Sequence, residues 1–201
     1  MKFISPFVFL IALAVVAIAQ DTPKAELFGG YSYLRTDEET IDLTGAGTLA
    51  RRSGSNLNGW NVALMYNPTS WLGFVGDFGG AYGKINYAVT GIGTTRVNSN
   101  FHTFMFGPQF SMRSRHVTGF VRGMVGAVRL DQSAIIAGQR FDSEEVAFAA
   151  AFGGGVDVRF ADKVSLRLFH ADLFLTKFDG QGIASDTQRA LRVSTGFVFR
   201  N

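Results

Sequence analysis

Arg189-Ala-Leu-Arg-Val-Ser-Thr-Gly-Phe-Val-Phe199 is the stretch whose reading decides the fold. Leu191, Val193, Thr195, Phe197 and Phe199 fall on one face of an extended chain, while Arg192, Ser194 and Gly196 fall on the other, because successive side chains of a strand point to opposite sides. A helix would scatter the same residues around its circumference. Seven upstream segments carry the same period of two: 25–35, 57–67, 70–83, 98–113, 117–129, 146–160 and 163–174. In 57–67, Trp60, Val62, Leu64 and Tyr66 oppose Asn61, Ala63 and Met65; in 98–113, Phe104, Phe106 and Phe110 oppose Thr103, Gln109 and Ser111. In 163–174 the alternation holds through Val164, Leu166 and Leu168 and blurs from Phe169 to Asp172, which predicts a β-bulge or a register change there.

The connectors between these segments alternate in length. Long polar ones cover 36–56, 84–97, 130–145 and 175–188; short ones lie around Asn67-Pro68-Thr69, Arg113-Ser114-Arg115-His116 and Ala161-Asp162-Lys163. All long connectors therefore fall at one end. This polarity is expected of an outer-membrane barrel with short periplasmic turns, longer extracellular loops and both termini in the periplasm. The reading is all-β: an eight-stranded antiparallel up-and-down transmembrane β-barrel.

The N-terminus supplies the route of export. Met1-Lys2 is a short basic start, Phe3 to Ile18 is almost wholly apolar, and Ala17-Ile18-Ala19 precedes the polar Gln20-Asp21. Residues 1–19 read as a cleaved secretory signal and 20–201 as the barrel domain. Loss of Lys2 lowers the formal charge from +3 to +2, so the balance offers no reason to expect a nucleic-acid partner. The absence of cysteine excludes disulfides and thiolate metal sites. An exported chain of this kind holds together by strand pairing and packing.

Two arrangements satisfy the same alternation, one with the apolar stripe facing lipid and one with it facing a soluble core. The minor stripe decides between them. It is mostly Gly, Ala, Ser and Thr with a few charges of both signs, and a soluble surface would carry many more Lys and Glu. Small residues and paired charges suit the inside of a narrow barrel. Glu26, Asp77, Arg122, Asp157, Arg167 and Arg192 share the inward parity and are predicted to form an interior charge network that stabilises the barrel and closes its lumen.

The runs Glu26-Leu-Phe-Gly-Gly-Tyr-Ser-Tyr33, Gly59-Trp-Asn-Val-Ala-Leu-Met-Tyr-Asn67, Trp71-Leu-Gly-Phe-Val-Gly-Asp-Phe-Gly-Gly80, Gly153-Gly-Gly-Val-Asp157 and Leu191-Arg-Val-Ser-Thr-Gly-Phe-Val-Phe199 carry a resemblance. In order and spacing they resemble the outer-membrane β-barrel domain family that includes the OmpA-like transmembrane domain and the opacity-type porin-family proteins. That resemblance implies a polar, packed interior, surface loops and a place in the bacterial outer membrane. It also implies contact with the lipopolysaccharide leaflet and with the barrel-assembly machinery. One departure is visible: such barrels usually end on an aromatic residue, and here Arg200 and Asn201 follow Phe199.

Features suggesting chemistry are weak. His102 lies on the apolar stripe, His116 in a short turn and His170 in the blurred region, and no His-x-Ser occurs. Gly45-Ala-Gly47 lacks the strand-to-helix context of a dinucleotide site. Arg51-Arg52 is an adjacent basic pair in the first long connector, near Asp37-Glu38-Glu39; it reads first as part of a solvated loop and only second as a weak contact for anionic lipopolysaccharide or a host surface. The sequence thus predicts a monomeric barrel with a structural or adhesion-like role carried by four extracellular loops, without catalytic, cofactor or metal residues, and its extracellular ligand is not named by any motif. The alternatives are a small-solute channel and, behind it, a lipid-modifying enzyme.

Overall fold

The computed structural model describes residues 22–36, 39–43, 48–52, 55–89, 93–136, 139–177 and 187–201. The predicted signal segment, 1–19, lies outside the described residues. Eight strands form the barrel wall: β1 (Ala25–Thr36), β4 (Asn56–Tyr66), β5 (Leu72–Val89), β6 (Gly93–Arg113), β7 (Val117–Ile136), β8 (Gln139–Ala161), β9 (Val164–Lys177) and β10 (Thr187–Arg200). Each pairs antiparallel with its neighbours in the chain, and β1 closes the ring against β10 from Glu26–Arg200 to Thr36–Ala190. The result is a closed all-antiparallel eight-stranded barrel with no free edge. Two further short strands, β2 (Glu39–Leu43) and β3 (Thr48–Arg52), form a hairpin that continues the sheet beyond the wall through Ala50–Val89 and Arg52–Tyr87.

Three of the four stretches read as long loops are therefore largely strand; most of the fourth, residues 178–186 of 175–188, lies outside the described residues. β5 and β6 stay paired to Val89–Gly93, and β7 and β8 to Ile136–Gln139. The predicted connectors 84–97 and 130–145 are mostly the ends of these hairpins, and 36–56 contains β2 and β3. The reason is physical: an apolar stripe marks only the part of a strand that faces lipid, whereas the backbone ladder needs no apolar face to continue. Ile85, Tyr87, Val89, Thr94, Thr95 and Val97 supply enough β-forming residues to extend it. Here the stripe measured membrane thickness rather than strand length.

At the opposite end the turns are short and tied down. Asn67 donates its backbone N–H to the Lys24 carbonyl at 2.9 Å, and Ser114 donates to the Val117 carbonyl at 2.8 Å. The residues after Phe199 take part in closure: Arg200 stands opposite Glu26, and the Ala25 N–H donates to Asn201 Oδ1 at 3.1 Å. Both termini of the barrel thus sit with the short turns.

The faces divide as the alternation requires. Outward lie large apolar side chains such as Leu64, Phe74, Phe106, Val125, Phe152 and Phe197, all more than half exposed. An aqueous surface this apolar is not viable, so lipid is the medium that satisfies it. Tyr66 and Trp71 mark the band near the short turns. Toward the other end, Trp60 Nε1 donates to the Tyr82 hydroxyl at 3.2 Å, that hydroxyl lies 3.4 Å from His102 Nε2, and the Tyr31 hydroxyl donates to Asn58 Oδ1. From Phe74 to Tyr82 the wall rises about 20 Å along the barrel axis at ~3.4 Å per residue and ~40° tilt. Past this belt the outer wall becomes ionic: Arg129 pairs with Asp131 and with Glu144, each at 3.0 Å.

Candidate functional site: the sealed interior

The inward faces build three tiers. Next to the short turns, Arg113 reaches Glu26 at 2.7 Å, from β6 to β1, and Arg200 approaches the same carboxylate at 3.5 Å. Just above, Asp157 and Arg167 are register partners on β8 and β9, and the guanidinium grips both carboxylate oxygens at 2.7 and 3.1 Å. Its plane is held by two rings, Phe28 at 4.3 Å and Phe120 at 4.4 Å. A guanidinium stacked this way loses little attraction on leaving water, since the ring faces and the carboxylate replace the solvent.

The middle tier is a four-cornered charge cluster. Asp77 on β5 accepts from Arg122 on β7 at 2.8 Å and from Arg192 on β10 at 2.7 Å. Asp172 on β9 accepts from the same two guanidiniums, at 2.8 and 2.7 Å. Each arginine bridges both carboxylates and each carboxylate bridges both arginines. Asn61 on β4 adds a 3.0 Å donor to Asp77, and His170 Nε2 lies 2.8 Å from Asp172. The space for this arrangement comes from missing side chains. Arg122, Gly153 and Asp172 occupy one row across β7, β8 and β9, and a Cβ on Gly153 would fall 2.2 Å from Asp172 Oδ1. Across the lumen, a Cβ on Gly79 would lie 2.9 Å from Arg192 Nη1.

The upper tier is apolar. Leu34 and Leu57 are register partners, as are Phe101 and Leu130, and all four are buried with Phe174 beneath the far end of the barrel. Phe174 also stacks under Arg192 at 4.9 Å. Charges thus lie below and hydrocarbon above, and in the charged tiers Arg122, Arg167, Asp77, His170 and Asp172 are each 0% exposed.

All six residues singled out from the sequence point inward and are buried. The structure joins Asp77, Arg122 and Arg192 in one cluster and Asp157 with Arg167 in a second pair, while Glu26 stands apart with Arg113 and Arg200. Sequence reasoning missed four members: Arg113, Arg200, His170 and Asp172. Arg113 and Arg200 continue parities already read on their strands, one step of two beyond Ser111 and two steps beyond Gly196. His170 and Asp172 were hidden by a bulge. In β9 the pairing with β8 shifts between Val156–Phe169 and Asp157–Arg167, so Leu168 has no partner of its own and both Leu168 and Phe169 face lipid. The other histidines lie elsewhere: His102 is on the outer wall, 3.7 Å from Asp131, and His116 is exposed in the β6–β7 turn.

No family model matches the sequence, and no curated protein does. Solved structures do match in fold. Ail, the attachment invasion locus protein of Yersinia pestis, is 15% identical with a TM-score of 0.55, over 89% of this chain and 100% of that one. Neisserial surface protein A is 10% identical with a TM-score of 0.53, over 90% and 100%. The outer membrane protein OprG of Pseudomonas aeruginosa is 12% identical with a TM-score of 0.53, over 91% and 98%. The chain has the fold of the eight-stranded bacterial outer-membrane barrels. Its own lipid-facing band, bounded by polar aromatic residues, places it in the same location, the bacterial outer membrane.

Proposed function

We propose that the barrel is a sealed, monomeric anchor and that the protein acts through the strand hairpins beyond its far end, in an adhesion-like or envelope-structural role. The observation that carries this reading is the contrast along one axis: a lumen filled by ion pairs and capped by Leu34, Leu57, Phe101, Leu130 and Phe174, below hairpins that stay paired well past the aromatic belt. A filled lumen argues against solute passage, since eight strands enclose only enough room for side chains. Histidine placement supports a role without catalysis: His170 is committed to Asp172 inside the wall, and His102 to the aromatic belt. The short turns and termini lie in the periplasm, and the outer belt meets lipopolysaccharide.

Ail has also been crystallised with the heparin analogue sucrose octasulfate. In this chain β3 carries Arg51 and Arg52, which makes a sulfated polysaccharide the first probe. Cells displaying the full chain are expected to bind a heparin-coated surface several-fold better than cells displaying a chain in which residues 39–52 are replaced by a short Gly-Ser turn, with both proteins shifting on an unboiled gel. Equal retention on heparin and on cultured epithelial cells would remove the adhesive reading and leave envelope structure. Sustained conductance of the purified barrel in planar bilayers would overturn the sealed-anchor reading.

A further inference from the structure

On the lipid-facing wall, close to the short turns, a cleft of about 450 Å³ opens between Trp71, Phe110, Met112, Gly119 and Val121, with Phe120 behind it. That volume is in the range of small-molecule sites, about 300–1,000 Å³. Its cause is one missing side chain. Gly119 stands in register between Met112 on β6 and Val156 on β8, and a Cβ built there meets nothing within 4 Å, so no neighbour fills the gap. Trp71 stacks on Phe110 with centroids 6.0 Å apart and planes 14° from parallel, which makes one side of the cleft flat and rigid. The lining is almost wholly apolar. Below it, the β6–β7 turn that joins Met112 to Gly119 exposes Arg115 and His116.

We infer that this cleft is a binding site for one anionic phospholipid of the leaflet that surrounds the short turns, with an acyl chain lying in the Gly119 gap and the phosphate against Arg115 and His116. The inference rests on the proposed reading of the chain as a membrane-inserted barrel with its short turns in the periplasm. A slot in a lipid-facing wall is solvated by hydrocarbon, and a flat aromatic side with a glycine floor favours a single extended chain over disordered contacts. The Arg115 guanidinium at the foot of the slot then favours an anionic headgroup by charge, and His116 beside it adds a ring nitrogen for the phosphate.

The chain has two tryptophans, Trp60 and Trp71. The variant Trp60→Phe leaves Trp71, a wall of the cleft, as the only indole reporter. Reconstituted into phosphatidylcholine vesicles, Trp71 is expected to be quenched two- to fivefold more by a small fraction of chain-brominated phosphatidylglycerol than by the same fraction of brominated phosphatidylcholine. Gly119→Leu, which fills the gap, and Arg115→Gln with His116→Gln, which remove the guanidinium and the imidazole at its foot, should each abolish the excess while the unboiled gel shift persists. Equal quenching by the two lipids, or an excess that survives Gly119→Leu, would overturn the site and leave the barrel intact. Trp71 shielded from both lipids in a cross-linkable dimer would give the cleft to a second copy and also overturn it. No quenching by any brominated lipid, with no gel shift, would remove the membrane reading itself.

Discussion

β9 and β10 lie side by side, pair along most of their length and contribute to the same charge cluster, yet they obey different rules. β10 alternates without interruption from Arg192 to Arg200, so each inward residue can be read from its neighbour two positions away. β9 alternates on either side of Leu168-Phe169 but not across them, because both residues face lipid. Thr195 of β10 holds the irregular segment, its hydroxyl donating to the Arg167 carbonyl at 2.9 Å. The bulge reconciles two demands on one strand: Arg167 must meet Asp157 below, and Asp172 must meet Arg122 and Arg192 above. Regular alternation from Arg167 would turn Asp172 toward lipid, at a depth where charge is costly.

Breaking the regular strand should have the larger effect. Deleting Val193 from β10 forces one half of it to exchange faces, since register and face are locked together. If the half toward the short turns moves, Phe197 and Phe199 enter a filled interior and Val198 and Arg200 face out. If the other half moves, Arg192 leaves the cluster for lipid, which costs about 2–4 kcal/mol near the midplane before its two ion pairs are counted. The expected outcome is failure to form the barrel, seen as identical migration of boiled and unboiled samples and as cleavage by added protease throughout the chain.

Next in size are substitutions within the cluster that the two strands share. Asp172→Ala leaves Arg122 and Arg192 with Asp77 alone, an excess buried positive charge, and takes from His170 the carboxylate it contacts. Arg122→Ala leaves Asp77 and Asp172 sharing Arg192, an excess negative charge. Breaking a dry ion pair by removing one partner costs about 3–5 kcal/mol. Each variant should still insert but unfold at a markedly lower urea concentration in lipid vesicles, as followed by tryptophan fluorescence. The double variant Arg122→Ala with Asp172→Ala should lose less than the two single losses combined, because one cation and one anion remain matched. Additive losses, or an unchanged midpoint for Arg122→Ala, would mean the cluster does not act as a unit.

The same contrast explains what was legible in the sequence. Outward Trp60, Phe104 and Phe197 and inward Asp77, Arg122 and Arg192 follow from parity alone, because a wall between lipid and a narrow lumen enforces period two at every paired position. The blur at Phe169 to Asp172 marked a bulge, but parity carries no sign across one, so Asp172 could not be assigned to a face from sequence. Strand ends were hidden for a different reason. Past Tyr82 and His102 the medium changes from lipid to water, the stripe loses its apolar side, and Lys84 to Val89 reads as loop although its backbone remains in the ladder. Which carboxylate meets which guanidinium depends on tilt and shear around the ring, and a one-dimensional pattern contains neither.

The smallest effect is expected from the deletion that looks most alike on paper. Removing Leu168 from β9 takes out the one residue without a β8 partner, so pairing runs in one register from Phe148–Lys177 to Arg159–Ser165, Arg167 and His170 stay inward, and Phe169 keeps its outward place. Loss of one lipid-facing side chain and relief of the bulge should change stability by about 1 kcal/mol or less. The gel shift should persist, and the urea midpoint should stay close to that of the intact chain. One deletion in each of two adjacent strands would then give opposite results, barrel lost in β10 and kept in β9. If deleting Leu168 is as damaging as deleting Val193, the bulge does more than absorb an extra residue: the twist it adds would itself be what brings Asp172 to Arg122 and Arg192.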